Sequence, residues 1–185
     1  MSDQLVSALP GATSEGFVTV AEAGLCGMIT LRGDLGRLAF ALVPLGLDIP
    51  AQRAITQADE RSLAWMSPDE LLLMLPYAEA AETTRTLQEE LRGEFATVAN
   101  VSDARAVFAL KGKGAPDVLA KLCPVDFAAL KPGEIRRTRA GQVAAAIWVT
   151  GEDEMRLVCF RSVAQYMFDL LTTAALPGSE PCLYS

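Results

Sequence analysis

Residues 64–74 read AWMSPDELLLM, and residues 147–158 read IWVTGEDEMRLV. In both stretches apolar residues flank a short polar segment with Pro-Asp or Gly-Glu-Asp, residue types that favour a tight turn. The chain's two tryptophans, Trp65 and Trp148, lie 83 residues apart and hold the same place in the two stretches. We therefore predict two β-hairpins of the same kind, in a chain that contains one structural unit twice.

The flanking sequence repeats in the same order. Before each hairpin, a β-type run ends in Leu-Arg-Gly at residues 31–33 or Leu-Lys-Gly at residues 110–112, and a helical segment follows at residues 35–43 or 115–122. After each hairpin, apolar and small residues recur with the spacing of one helical face. These residues are Ala80, Thr84, Leu87 and Leu91 in the first copy and Val163, Met167, Leu170 and Ala174 in the second.

Each copy has the order strand, helix, two strands, helix, and residues 95–101 add a further strand to the first copy. This order predicts an α+β fold of two ferredoxin-like βαββα(β) halves related by internal duplication. We expect the first half at residues 25–103 and the second at residues 104–175, together forming one compact domain. Residues 1–24 have no apolar period and are expected to form an N-terminal arm that either docks on the surface or is disordered. Residues 176–185 are expected to be a loose C-terminal tail.

The composition argues against several classes of function. The net charge of −7 and the pI of about 4.7 are poorly suited to nucleic acid, whose binding requires cations that neutralise phosphates. The chain has no histidine, the commonest general base and metal ligand, and none of its four cysteines forms a Cys-x-x-Cys pair. We predict buried free thiols in a reducing cytoplasm, no signal peptide, and no stretch of about 20 apolar residues that would span a membrane.

The sequence assigns no catalytic, cofactor-binding or metal-binding residue. The segment KGKG at residues 111–114 is too short for a phosphate-binding loop and predicts a glycine-eased turn from a strand into a helix. Three residues are candidates for structural or partner contacts. Asp103 is expected to accept hydrogen bonds from backbone amides at the junction of the halves, Arg161 to hold a carboxylate of this chain or of a partner, and Ser162 to lie near the cap of the last helix.

Six segments together resemble the sarcosine oxidase gamma subunit family. They read ITLRGD at residues 29–34, WMSPDE at 65–70, NVSDAR at 100–105, LKGKGA at 110–115, VLAKLCPVD at 118–126 and RSVAQY at 161–166. The resemblance extends over residues 29–171 and rests on the order and spacing of the segments, because each one alone is short. The family is similar in fold to the folate-binding aminomethyltransferases, the glycine-cleavage T-protein superfamily. The resemblance therefore implies an aminomethyltransferase-like folate-binding fold.

The resemblance also implies a non-catalytic structural or assembly subunit of a heterotetrameric bacterial enzyme. That enzyme oxidatively demethylates sarcosine to glycine, yields formaldehyde or methylenetetrahydrofolate, and produces hydrogen peroxide. FAD, FMN, NAD, tetrahydrofolate and zinc are then expected in the other subunits, and the partners are alpha, beta and delta chains, not nucleic acid or a membrane. Two alternatives remain open, a folate-binding aminomethyltransferase-like protein and a regulatory module of another one-carbon enzyme. Apolar surface left by missing partners would allow a homodimer in isolation.

Overall fold

The computed structural model describes residues 5–184, which form eleven β-strands and four α-helices. The strands are, in chain order, β1 (Thr13–Ser14), β2 (Thr19–Glu22), β3 (Gly27–Arg32), β4 (Ile55–Ala58), β5 (Arg61–Ser67), β6 (Glu70–Leu75), β7 (Thr97–Asn100), β8 (Arg105–Lys111), β9 (Ile135–Ala140), β10 (Val143–Gly151) and β11 (Glu154–Phe160). The helices are α1 (Leu35–Leu42), α2 (Ala80–Glu90), α3 (Ala115–Ala120) and α4 (Ala164–Ala174). Residues 1–4 of the expected arm and Ser185 of the expected tail lie outside the described residues.

The described chain divides into two compact units. The first unit is Cys26–Asp103, and the second unit consists of the described residues that precede Cys26 and those that follow Asp103. In the first unit an antiparallel sheet has the strand order β4-β5-β6-β3-β7. Helices α1 and α2 bury Leu38, Leu42 and Leu87 in the core on one face of this sheet. This is the ferredoxin-like half predicted from the sequence, with β4 added at one edge.

The second unit repeats this order, but one strand comes from a different place in the chain. Its sheet has the order β1-β2-β8-β11-β10-β9, so β2 lies beside β8 as β7 lies beside β3. Val18 and Val20 are buried in the core with Phe108 and Leu157. The prediction that residues 1–24 stand outside the duplicated pattern is therefore wrong for β2, whereas β1 is an added edge strand with no counterpart in the first sheet. Burial of the two valines on one face of the sheet favours the pairing of β2 with β8.

The pairing register identifies β2 and β7 as equivalent strands. Thr97 of β7 pairs with Arg32 of β3, and Thr19 of β2 pairs with Lys111 of β8. Arg32 and Lys111 are the matched residues of the Leu-Arg-Gly and Leu-Lys-Gly segments, so the two pairs correspond. Each half therefore has a fourth strand at the same position beside its first strand.

The sequences of these two strands agree as well. Residues 95–99 read FATVA, and residues 17–21 read FVTVA. The fourth strand of the second unit thus precedes the rest of that unit in the chain, whereas β7 follows the other strands of the first unit. The similarity of residues 17–21 to residues 95–99 is the sequence signal that would have identified β2.

Strand pairing aligns the two hairpins with a shift of one residue relative to the alignment of the two tryptophans. By strand pairing, Trp65 corresponds to Val149, and Trp148 corresponds to Ala64. The hairpins are therefore 84 residues apart, as residues 65 and 149 show, and α2 and α4 begin with the same separation at residues 80 and 164. A shift of one residue moves the side chains of a strand to the opposite face. Trp65 consequently packs against the core of its unit, whereas Trp148 is buried on the face opposite Ile147.

Candidate functional site

Arg161, the sequence candidate for carboxylate binding, holds backbone carbonyls. It begins a 3₁₀ turn, Arg161–Val163, between β11 and α4. Its Nη2 donates hydrogen bonds of 3.0 Å to the carbonyl oxygens of Val6 and Ser7. Hydrogen bonds from a charged guanidinium are stronger than neutral ones, so Arg161 fastens the N-terminal segment to the second unit. The sequence left two alternatives for this segment, docking on the surface or disorder, and its described part is docked.

Ser162 and the KGKG segment have the geometry of surface turns. Ser162 is exposed in the 3₁₀ turn, which has no side-chain hydrogen bond at its cap. The KGKG segment connects β8 to α3, as predicted. Gly112 has a φ of 133°, which disfavours other residues, and a Cβ on Gly114 would lie 2.7 Å from the Phe17 ring. Both glycines therefore serve the turn and the packing of Phe17.

At the end of the first unit, Ser102 has the role that was predicted for Asp103. Asp103 is exposed, and its Oδ1 accepts a hydrogen bond of 2.9 Å from the Tyr77 hydroxyl. The buried Ser102 Oγ accepts a hydrogen bond of 2.9 Å from the Met28 amide and donates one of 2.6 Å to Asn100 Oδ1. Ser102 thus ties the residues after β7 to β3. The Asn-x-Ser spacing is the signal for this role, because short polar side chains often bond to nearby backbone.

A buried carboxylate holds the C-terminal tail. Asp117, in the first turn of α3, is fully buried, and its Oδ1 accepts hydrogen bonds of 2.9 Å and 3.2 Å from the amides of Leu183 and Tyr184. The prediction of a loose tail is therefore wrong for these residues. An aspartate in the first turn of a helix is expected at the surface, where it interacts favourably with the helix dipole, so the sequence carried no signal of this burial.

A second residue of the same helical face also binds the tail. Lys121 directly follows α3, and its Nζ donates hydrogen bonds of 2.7 Å to the Ala174 carbonyl and 2.9 Å to the Ser179 hydroxyl. The Tyr184 ring packs beside Phe127, with 5.9 Å between the ring centroids. The tail is thus held at Ser179 and again at Leu183 and Tyr184.

The first unit has an open cleft of about 360 Å³ at the end of β3. It is lined by Arg32, Gly33, Asp69, Glu94, Phe95, Ala96 and Thr97. The charged groups here form ion pairs: Arg32 Nε lies 3.1 Å from Asp69 Oδ2, and Arg37 Nε, next to the cleft, lies 3.6 Å from Glu94 Oε2. Hydrogen bonds from the Ser67 hydroxyl and the Arg32 guanidinium hold the pKa of the Asp69 carboxyl below its usual value.

The four cysteines are free thiols in different environments. Burial raises the pKa of Cys123 to about 12 and the pKa of Cys159 to about 11. Cys26 is half-buried and Cys182 is exposed, so the prediction of buried thiols is confirmed for two of the four. Within residues 5–184, no group of three Cys, Asp or Glu side chains is placed to hold a metal ion. None of the helices in this range is long and apolar enough to cross a membrane.

Comparisons with known proteins give the family. A model of the sarcosine oxidase, gamma subunit family matches residues 32–176. A sarcosine oxidase subunit gamma from Arthrobacter sp. is 28% identical over 187 residues, which cover 95% of this chain and 91% of the relative. The solved heterotetrameric sarcosine oxidase from Corynebacterium sp. U-96 contains a chain that matches with a TM-score of 0.77 and 28% identity, over 85% of this chain and 83% of that chain.

The fold is also shared with an aminomethyltransferase. The aminomethyltransferase T of the glycine cleavage system from Bartonella henselae matches with a TM-score of 0.62 and 18% identity, over 81% of this chain and 44% of that chain. This likeness confirms the predicted aminomethyltransferase-like fold. The family match begins at the cleft residue Arg32 and ends just after α4, so it includes parts of both duplicated halves. With most of its length covered by that match, the chain belongs to the sarcosine oxidase, gamma subunit family.

Proposed function

We propose that this chain is the gamma subunit of a heterotetrameric sarcosine oxidase and that alpha, beta and delta chains are its partners. The observation that carries the proposal is the match, over most of both chains, to one chain of a solved heterotetrameric sarcosine oxidase. In this proposal the complex oxidatively demethylates sarcosine to glycine, with formaldehyde or methylenetetrahydrofolate and hydrogen peroxide as the other products. This chain contributes to assembly, and the catalytic groups come from the partner chains.

Three polar groups with defined hydrogen bonds support a structural role. Asp117, Ser102 and Arg161 each bind backbone groups of their own chain. A general acid, general base or nucleophile must instead contact the substrate in a plausible pose. FAD, FMN, NAD, tetrahydrofolate and zinc are accordingly assigned to the partner subunits.

Co-expression with the three cognate chains tests the proposal. With an affinity tag on this chain, we expect the alpha, beta and delta chains to co-purify, with flavin absorbance and sarcosine-dependent production of hydrogen peroxide. The isolated chain is expected to be colourless and inactive on sarcosine. Purification of this chain alone from cells that contain all four would contradict the subunit assignment. A flavin spectrum, or tight binding of a reduced folate by the isolated chain, would contradict the non-catalytic role only.

A further inference from the structure

The two units end differently because their fourth strands come from different places in the chain. In the first unit, α2 leads through residues 91–96 directly into β7. In the second unit the fourth strand is β2, which comes before the rest of the unit, so the chain after α4 is not needed for the sheet. Residues 175–184 are therefore available to cover the surface of the second unit.

In the second unit these residues cover α3 and the segment before β2. Asp117 and Lys121 lie four residues apart, on one helical face, and both bind the tail. The Phe17 amide donates a hydrogen bond of 3.0 Å to the Ala175 carbonyl, and the Phe17 ring centroid lies 5.0 Å from Lys121 Nζ. The residues that follow α4 thus bind the helix after the first strand, and the Phe17 ring packs beside Lys121, which itself holds Ser179 of this segment.

Within residues 5–184, the corresponding surface of the first unit is exposed. Phe95 precedes β7 as Phe17 precedes β2, and Phe95 is fully exposed. Helix α1 corresponds to α3 because each follows the first strand of its unit. Phe40 on α1 and Val43 directly after it are 76% and 69% exposed. Large apolar side chains left in water over one region mark a surface for interaction.

An ion pair links the two parts of this surface. Arg37, one turn before Phe40, pairs with Glu94, the residue before Phe95. Arg37 is the third residue after the N-cap of α1, the position that Asp117 holds in α3. We define the open face as Phe40, Val43 and Phe95 with the Arg37–Glu94 pair and the adjoining cleft. It includes Arg37, whose counterpart Asp117 binds the tail on the second unit.

Charge favours a different chain over a second copy as the occupant of the open face. Two copies of this chain would bring together two net charges of −7, which oppose association. The centre of the open face is apolar because Phe40, Val43 and Phe95 are exposed there. Its charged side chains are paired within the chain, so it requires no charged partner. The tail of the second unit shows the kind of segment that fits, because residues 176–184 read LPGSEPCLY, with two prolines and one charged residue.

From this comparison we infer that the open face binds an extended, largely uncharged apolar segment of a partner subunit, in the place that the tail takes on the second unit. The inference rests on the proposed function, because it takes the partner from the heterotetramer. Phe40 and Phe95 lie at the centre of the contact, where large aromatic side chains contribute most to binding.

Co-purification of charged variants from cells that express all four chains tests this assignment. We expect Phe95→Glu and Phe40→Glu each to lower the recovery of the partner chains on the tagged chain by about tenfold or more. Leu176→Glu is the matched control, because Leu176 is an apolar residue of the second unit that is 55% exposed. It should recover the partners as the wild type does. All three isolated variants should unfold at the wild-type temperature, since the replaced side chains are exposed.

Each result decides a different point. Wild-type recovery with both Phe95→Glu and Phe40→Glu would overturn the docking assignment and leave the proposed function standing. An equal loss with Leu176→Glu would overturn it too, because the open face would then have no special part. If Phe95→Glu converts a dimer of the isolated chain into a monomer without any loss of partner chains, the occupant is a second copy and the inference is wrong. Failure of the wild-type chain to recover partners would contradict the proposed function and with it this inference.

Discussion

Phe17 and Phe95 hold the same place in the two units and have opposite environments. The Phe17 ring is half-buried beside Gly114 and Lys121, whereas Phe95 is fully exposed. The residue type is the same, and the strands that follow have similar sequences and equivalent registers. The two units also differ in the order of their elements. The second unit takes its fourth strand from residues before its first strand, so the residues after α4 bind α3, whereas in the first unit residues 91–96 lead directly into β7.

The largest expected effect tests whether β2 is a core strand. In the double variant Val18→Ala, Val20→Ala, two buried valines lose their methyl groups, so we expect the second unit to be destabilised by about 3 kcal/mol. In the first unit, Val98 corresponds to Val20, and the residue that corresponds to Val18 is already alanine, Ala96. The matched change is therefore the single substitution Val98→Ala, for which we expect about half the loss of stability. Urea unfolding followed by Trp148 fluorescence in a Trp65→Phe background measures the second unit. A loss below about 0.5 kcal/mol would mean that β2 is peripheral.

The next effect tests the close approach of the arm to the end of α4. A Cβ on Gly16 would lie 2.0 Å from the Ala175 carbonyl oxygen, so Gly16→Ala forces the two segments apart and should destabilise the second unit by about 2 kcal/mol. Its counterpart in the first unit is Glu94, which is exposed, and Glu94→Ala should change stability by less than about 0.5 kcal/mol. Thermal unfolding of both variants gives the comparison. Equal effects would show that the two positions have the same surroundings.

A smaller effect is expected where the tail binds α3. Asp117→Asn keeps an oxygen acceptor and removes its charge, which should weaken the hydrogen bonds from the tail by about 1 kcal/mol. The amides of Leu183 and Tyr184 should then exchange with solvent about fivefold faster, while the amides of α4 serve as the internal control. Unchanged exchange of the two tail amides would show that Asp117 does not hold the tail.

The smallest effect concerns the exposed ion pair of the cleft. Arg32→Ala should raise the pKa of the Asp69 carboxyl toward its usual value, although the Ser67 hydroxyl would still lower it. A carboxyl with a lowered pKa in the folded state adds stability above its unfolded pKa, and this contribution is lost as the pH falls. Because both side chains are exposed, we expect no measurable change in stability at pH 7. An NMR titration of Asp69 checks the direction, and an unchanged pKa would contradict the role of Arg32.

The sequence predicted the elements whose signals are local. The turn residues of both hairpins, the apolar period of α2 and α4, and the glycines before α3 are each sufficient to locate an element, and the structure confirms them. The strand β2 was missed because its partner β8 lies about 90 residues later, so no local pattern pairs the two. The tryptophan match was one residue out because it aligned two residues of the same type, whereas strand pairing places Trp65 and Trp148 at neighbouring positions whose side chains lie on opposite faces.

Of the candidate contact residues, the sequence located the right segments but not the contacts. Arg161 does lie at a junction between a strand and a helix, yet its partners are carbonyls of a distant segment. The sequence could not identify Asp117 as a contact residue, because its partners in the tail lie more than 60 residues later in the chain. Exposure of Phe95 and burial of Phe17 are likewise properties of the assembled unit and not of the FATVA and FVTVA segments themselves.

Hydrogen exchange of this chain, alone and within the reconstituted four-chain oxidase, tests the central claim most directly. The claim is that the uncovered half receives its cover from a partner. We predict that amides in residues 37–43 and 93–97 gain protection in the complex, while those in residues 176–184, already covered by their own unit, do not change. Formation of the complex without new protection in residues 37–43 and 93–97 would contradict the account.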